Sequence, residues 1–315
     1  MENKMDFESC YNNSSIIFME GALGERLKRE YHIPFDETVA LASHIYNEKS
    51  KEALKELFSQ YIKISGHYHF PIMITTPTRR ANKERVLQSK YNKNIIYDNV
   101  SFLNEIKRDC SSQVYIGGLM GCKGDAYKAD AILSEKEALE FHSWQASLFA
   151  EDKVDFLYAG IMPALSEAIG MARSMENTGL PYIISFMIRE DGKLIDGTTI
   201  HEAIVAIDSS TKRKPLCYMT NCVHPQVVFK ALSQAYNKTT IVQQRFKGIQ
   251  ANTSPLSPEE LDNCCELKTS DAYSFAADML KLYENFNLKI FGGCCGTDDT
   301  HMSEVAKKLK KAIYY

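Results

Sequence analysis

Nine cysteines occur in this 315-residue sequence, and three of them sit in turns suited to chemistry. Cys222 lies in Thr220-Asn221-Cys222-Val223-His224-Pro225, directly after an apolar run. Cys294 and Cys295 lie in Gly292-Gly293-Cys294-Cys295-Gly296-Thr297, after another. Three thiolates suit a borderline-soft ion such as Zn2+, and three protein ligands leave the fourth tetrahedral position open for catalysis. The flanking glycines let the backbone turn tightly, so that neighbouring residues can face one ion. The two motifs are too far apart for a zinc-finger knuckle, so a fold must bring them together. Two other readings use the same residues: core cysteines beside a glycine turn, and a redox pair made of Cys294 and Cys295.

The other cysteines argue against an exported, disulfide-built protein. Their number is odd, the chain is long, and MENKMDFESCYNNSS carries acidic residues without the apolar segment of a secretory leader. Cys264 and Cys265 follow a helix-start pattern, where a free cysteine commonly packs as a small hydrophobe. Hydrophobic residues are 44% and charged residues 24%, which excludes a disordered chain. Lys and Arg total 37 against 40 acidic residues, a net charge of −3. No basic field points to nucleic acid or anionic lipid, so neither is an expected partner. No apolar run approaches the roughly 20 residues that cross a bilayer. A soluble, cytoplasmic protein is expected, with self-association left open.

These motifs must be positioned by a scaffold, and the chain shows one. Short apolar runs alternate with stretches of helical period. The strand candidates are 16–19, 71–75, 114–116, 154–158, 182–186, 215–219, 246–250 and 288–291. Leu54, Leu57, Phe58, Tyr61 and Ile62 recur on one helix face that Gly66 is expected to stop. Ser134 with Glu137 and Thr199 with Glu202 form capping-box patterns, a helix is read over 225–236, and Ser257-Pro258-Glu259-Glu260 opens another helix. Eight continuous apolar strands separated by helices favour a single α/β domain over 1–315, a (β/α)8 TIM barrel. A doubly wound sheet is the runner-up, without a Gly-x-Gly-x-x-Gly turn after the first strand. In a barrel both cysteine motifs leave the C-terminal ends of strands, where active sites form.

From about Phe18 to the terminal helix, the chain resembles the homocysteine S-methyltransferase family of zinc-dependent thiol methyltransferases. Both of that family's zinc motifs are present unaltered, the Asn-Cys after strand six and Gly-Gly-Cys-Cys-Gly-Thr after strand eight. Weaker matches are Gly21-Ala22-Leu23-Gly24, Thr76 to Asn82, Gly118 to Gly124, and Asp191 to Gly197. The resemblance implies a (β/α)8 barrel with Cys222, Cys294 and Cys295 as Zn2+ ligands. It implies a small-molecule thiol acceptor, homocysteine giving methionine, and a small sulfonium, betaine or methyl-folate type donor. Glu20 is the expected catalytic and substrate-binding carboxylate, with Gly21, Thr76, Asn221 and Asn252 also lining the substrate pocket. A free thiol is mostly protonated at neutral pH, and zinc ligation would hold it as the thiolate.

The sequence departs from the family at two positions. Glu20-Gly21 stands where Asp-Gly is common, and Gly160 stands where a Glu normally meets the ammonium of homocysteine. Either Glu20, Glu167 or another group supplies that carboxylate, or the acceptor is a different thiol or selenol. A zinc-binding barrel without turnover is the remaining alternative. His67 and His69 are expected at the surface, His224 beside the Cys222 thiolate or in a plain loop role, and Trp144 in packing. Arg79 and Arg80 are candidates for an anionic group on donor or acceptor.

Overall fold

The computed structural model describes residues 5–128, 131–255 and 270–314. Its strands are β1 (Ile17–Met19), β2 (Ile72–Thr75), β3 (Val114–Gly121), β4 (Phe156–Met162), β5 (Tyr182–Phe186), β6 (Cys217–Val223), β7 (Phe246–Ala251) and β8 (Ile290–Gly293). They pair in parallel and in chain order, and β8 closes on β1 through Ile17–Ile290 and Phe18–Phe291. With helices between the strands, this is the (β/α)8 barrel that the alternating pattern predicts.

Side chains alternate across each strand, which fixes what the barrel encloses. Ile17, Met19, Met73, Tyr115, Phe156, Tyr158, Ile183, Cys217, Met219 and Ile290 pack together inside. Their neighbours Phe18, Ile72, Ile74, Ile116, Leu157 and Tyr218 join the larger core under the helices. The same alternation carries Thr75, Gly121, Gly160, Ser185 and Asn221 to the inner wall at the C-terminal mouth. Large rings fill the interior, and small residues make room for them. The Phe156 ring occupies the space where a Cβ on Gly117 would stand.

The helix Phe7–Asn13, which sequence periodicity does not show, closes the other end. Phe7 enters the barrel, with its ring 4.3 Å from Phe156 and 5.4 Å from Tyr115. Both capping boxes form, opening helices Glu135–Glu151 and Ile200–Ser210. Two helix ends differ from expectation. The helix Glu48–His67 continues through Gly66, whose bare Cα lies against the Ser112 side chain. The helix from Pro225 stops at Ser233 rather than Tyr236. Strands β3, β4 and β6 run further than their apolar cores suggest, so Asn221 and Cys222 belong to β6 itself. The expected helix start at Ser257-Pro258 and the Cys264-Cys265 pair lie outside the described residues. No helix among the described residues is long and apolar enough to cross a membrane.

Candidate metal centre

Local irregularities aim the sulfurs. The pairing of β6 with β7 shifts register between Asn221 and Val223, and Cys222 takes a left-handed φ of 59°. Such a φ is uncommon outside glycine, and a bulge of this kind redirects a side chain. The turn after β8 is pinned from three sides. Cys294 N donates to Ala251 O at 2.6 Å, and Thr253 N donates to Cys295 O at 3.1 Å. Thr297 Oγ1 donates to Cys294 O at 2.7 Å and accepts from Ala22 N at 3.0 Å, tying the turn to the segment after β1. Gly296, at φ 82°, gives its N–H to the Glu25 carboxylate.

The result is one cluster of thiols. The sulfurs of Cys222, Cys294 and Cys295 lie within 4.8 Å of one another, with Cys294 and Cys295 4.0 Å apart. It is the one such group of potential ligands among the described residues. Cys222 and Cys294 form a disulfide, against the expectation of reduced thiols. Their Cα atoms are 5.5 Å apart, inside the range a disulfide spans, because adjacent loops of the mouth bring them together. Tetrahedral zinc with Zn–S bonds near 2.3 Å sets sulfurs about 3.8 Å apart. Once the pair is reduced, the donor set fits such an ion with small side-chain movements. Cys295 is free, reachable by solvent and otherwise ringed by protein. Desolvation pushes its thiol up to about 11, Glu25 adds to this, and Arg79 opposes it.

The wall beside the cluster carries a buried, unmet chemical demand. Glu20 Oε1 accepts from Thr75 Oγ1 at 2.5 Å and Thr75 N at 3.2 Å. Its Oε2 is buried with no hydrogen-bond partner among the described residues. Burial raises this carboxyl to about 7, against the opposing bonds from Thr75. Asn221 Oδ1 accepts from Ile161 N at 2.9 Å and Ser185 Oγ at 2.7 Å. Ile161 has a φ of 56°, rare for a β-branched residue, where the β4–β5 register also shifts.

Residues 17–309, nearly the whole chain, match the description of the homocysteine S-methyltransferases. The chain belongs to the homocysteine S-methyltransferase family. Homocysteine S-methyltransferase YbgG of Bacillus subtilis is 26% identical over 212 residues, covering 65% of this chain and 62% of that protein. Homocysteine S-methyltransferase 2 of Saccharomyces cerevisiae is 22% identical over 324 residues, 95% of this chain and 96% of that one. The oxidized form of the Escherichia coli homocysteine methyltransferase MmuM shares the fold, with a TM-score of 0.75 at 14% identity, over 94% of this chain and 97% of that one. Its metallated form gives 0.73 at 15% identity, with the same coverage.

In this homocysteine S-methyltransferase family member the remaining candidates fall into place around the mouth or leave it. Thr76 is buried, sharing a 2.7 Å hydrogen bond with Thr78 and accepting from Leu119 N at 3.0 Å, so its hydroxyl fixes β2 to β3. Gly21 lies under the Tyr61 ring, with no room for a Cβ, and Tyr61 donates to Ala22 O. Asn252 bonds Val223 O through its N–H and caps Ser254 N, linking the ends of β6 and β7 beside Cys222. Glu167, the other candidate carboxylate, is engaged by protein groups through Oε1. It is buried, accepting from Lys123 N at 2.8 Å and lying 3.0 Å from His142 Nε2. His224 caps the helix Pro225–Ser233, accepting from Gln226 N, and burial lowers it to about 4. Its other nitrogen faces Ser270 Oγ at 3.3 Å. His67 and His69 line a cleft of about 730 Å³ beside the start of β2, away from the sulfurs. Trp144 packs on the core. Thr75, Ser185 and Thr297 were not singled out by sequence reasoning. Thr297 ends the second cysteine motif, and Thr75 precedes the expected Thr76, so position alone could have flagged both.

Proposed function

We propose that this protein is a zinc-dependent methyltransferase that moves a methyl group from a small donor of sulfonium, betaine or methyl-folate type to a thiol, with homocysteine as acceptor and methionine as product. The observation that carries this reading is the convergence of three sulfurs from two distant motifs at the mouth of the barrel. Cys222, Cys294 and Cys295 would hold the ion, leaving one tetrahedral position for an outside sulfur. When bound, zinc supplies the Lewis acidity that keeps a thiol deprotonated at neutral pH.

The protein's own residues then do the positioning. Glu20 Oε2, buried and unpartnered, is the natural seat for an ammonium, and an ammonium there would restore its ionised form. Asn221 holds Ser185 and the Ile161 backbone, and so shapes the inner wall on which the acceptor rests. In-line methyl displacement requires near-attack geometry more than acid–base chemistry, and a rigid rim provides it. A second reading, another thiol or a selenol as acceptor, draws support from Gly160. That position offers no side chain, and the nearest polar side-chain atom is Asn221 Nδ2, 3.5 Å from where its Cβ would lie.

The test is a reduced, zinc-supplemented preparation assayed for metal content and for methylation of homocysteine, other thiols and a selenol with each donor type. Near-stoichiometric zinc, lost in Cys294→Ala, together with methionine formation supports the first reading. Turnover of another acceptor alone supports the second. A zinc-loaded protein that methylates nothing leaves only the binding barrel without turnover.

A further inference from the structure

The proposed function leaves Arg79 without a task. It lies in the loop after β2 and is half-buried, and its guanidinium makes no hydrogen bond or ion pair with a described residue. Its neighbour is engaged differently, since Arg80 Nη1 donates to Gly124 O at 3.4 Å. The path of the Arg79 side chain is fixed by a glycine. A Cβ on Gly121 would stand 2.7 Å from Arg79 Cγ, 2.9 Å from Arg79 O and 3.5 Å from Cδ. Gly121 is the last residue of β3 and belongs to the inner wall, so the arginine stem lies across the mouth of the barrel. Its partner in the β3–β4 ladder is Gly160, a second inner position without a side chain. The Arg79 stem fills the place of a side chain on Gly121, and Leu119 Cδ1 comes within 3.0 Å of the Cβ position on Gly160.

The charge at the end of the stem lies beside Tyr127 and Cys122, since Arg79 opposes the raised pKa of both. Glu25, the acid beside the turn after β8, is already engaged. It accepts from Gly296 N and faces Arg29 Nε at 3.8 Å. A partly desolvated guanidinium without a fixed counter-charge is an unfavourable element of a folded protein, and a bound anion offsets that cost. Guanidinium and carboxylate are matched in shape as well as charge.

We propose that Arg79 receives the carboxylate of the acceptor thiol, making the site selective for thiols that carry a carboxylate a few bonds from sulfur. The inference rests on the thiol-methylation reading above. It completes a three-point grip: sulfur at the cysteine cluster, ammonium at Glu20 beside β2, carboxylate at Arg79 over β3.

The experiment titrates reduced, zinc-loaded protein with three thiols by calorimetry and assays each as an acceptor. The thiols are homocysteine, 4-mercaptobutanoate (no ammonium) and 3-mercaptopropylamine (no carboxylate). Arg79→Met keeps the aliphatic stem over Gly121, and Arg79→Lys keeps the charge. Arg79→Met is expected to weaken homocysteine and 4-mercaptobutanoate by about 10- to 100-fold, the size of a lost charge-assisted hydrogen bond. Binding of 3-mercaptopropylamine should stay unchanged, as should kcat and the donor KM, and Arg79→Lys should restore part of the loss. Equal weakening of all three thiols, no weakening, or a change confined to the donor KM would overturn the assignment while methyl transfer stands. If the wild-type protein binds and methylates none of the three, the functional reading itself fails and the role of Arg79 fails with it.

Discussion

Glu20 is the residue whose chemistry the fold perturbs most usefully. An unfolded Glu ionises near 4.5, whereas burial lifts Glu20 to about 7 in the folded chain. The folded state therefore binds the extra proton between those values, and stability falls as pH rises through that window. Below about 4.5 both states are protonated and the burden vanishes. Glu20→Gln should then match the wild type in thermal melts near pH 4 and exceed it near pH 8, with no acceptor present. An unchanged difference across that range would contradict a buried, unpartnered carboxyl. Substrate binding should show the opposite trend. An ammonium needs the ionised form, so the acceptor KM of the wild type should fall as pH rises through about 7. Glu20→Gln should show no such step and a KM about tenfold higher or more, consistent with one charged hydrogen bond. This position was legible in the sequence as a carboxylate next to the first turn. Its partner Thr75 was not, because a threonine in a strand shows no sign of what its hydroxyl will meet.

At the level of elements, the turn after β8 depends on Thr297 more than on any other side chain outside the thiols. Its hydroxyl both donates to Cys294 O and accepts from Ala22 N. Thr297→Val keeps the shape and removes both bonds. Leaving the Ala22 N–H unpaired in a buried site should cost about 1–3 kcal/mol in urea unfolding. The loosened turn should also release zinc to a competing chelator more readily; an unchanged chelator midpoint would separate the turn from the metal. The elements that carry this site were only partly readable. The apolar centres of all eight strands mark their places, because a strand covered on both faces must be apolar throughout. Their ends do not. Gly117, Gly118 and Gly121 look like turn residues in sequence, yet they lie in β3, where bulky rings or the Arg79 stem take the space of a side chain. Thr220-Asn221-Cys222 likewise looks like a loop and is the inner end of β6. The helix Phe7–Asn13 escaped for a different reason: seven residues with two buried ones make no periodic signal.

On the scale of the molecule, the barrel converts distance along the chain into proximity at its mouth, and the three sulfurs belong to motifs at the ends of β6 and β8. An ion bound by the folded state alone stabilises it by mass action. Reduced protein should therefore gain about 2–3 kcal/mol at zinc concentrations a hundredfold above Kd, seen as a melting temperature several degrees higher. Protein with the Cys222–Cys294 disulfide intact should show no such gain, since two of the three ligands are then unavailable. Equal zinc response in both forms would mean that the ion binds elsewhere.

The most direct measurement is zinc K-edge X-ray absorption on the reduced, zinc-loaded protein, before and after homocysteine is added. The account predicts three sulfurs near 2.3 Å with one lighter neighbour at first, then four sulfurs once the thiol enters. A first shell without three sulfurs, or one unmoved by homocysteine, would contradict it.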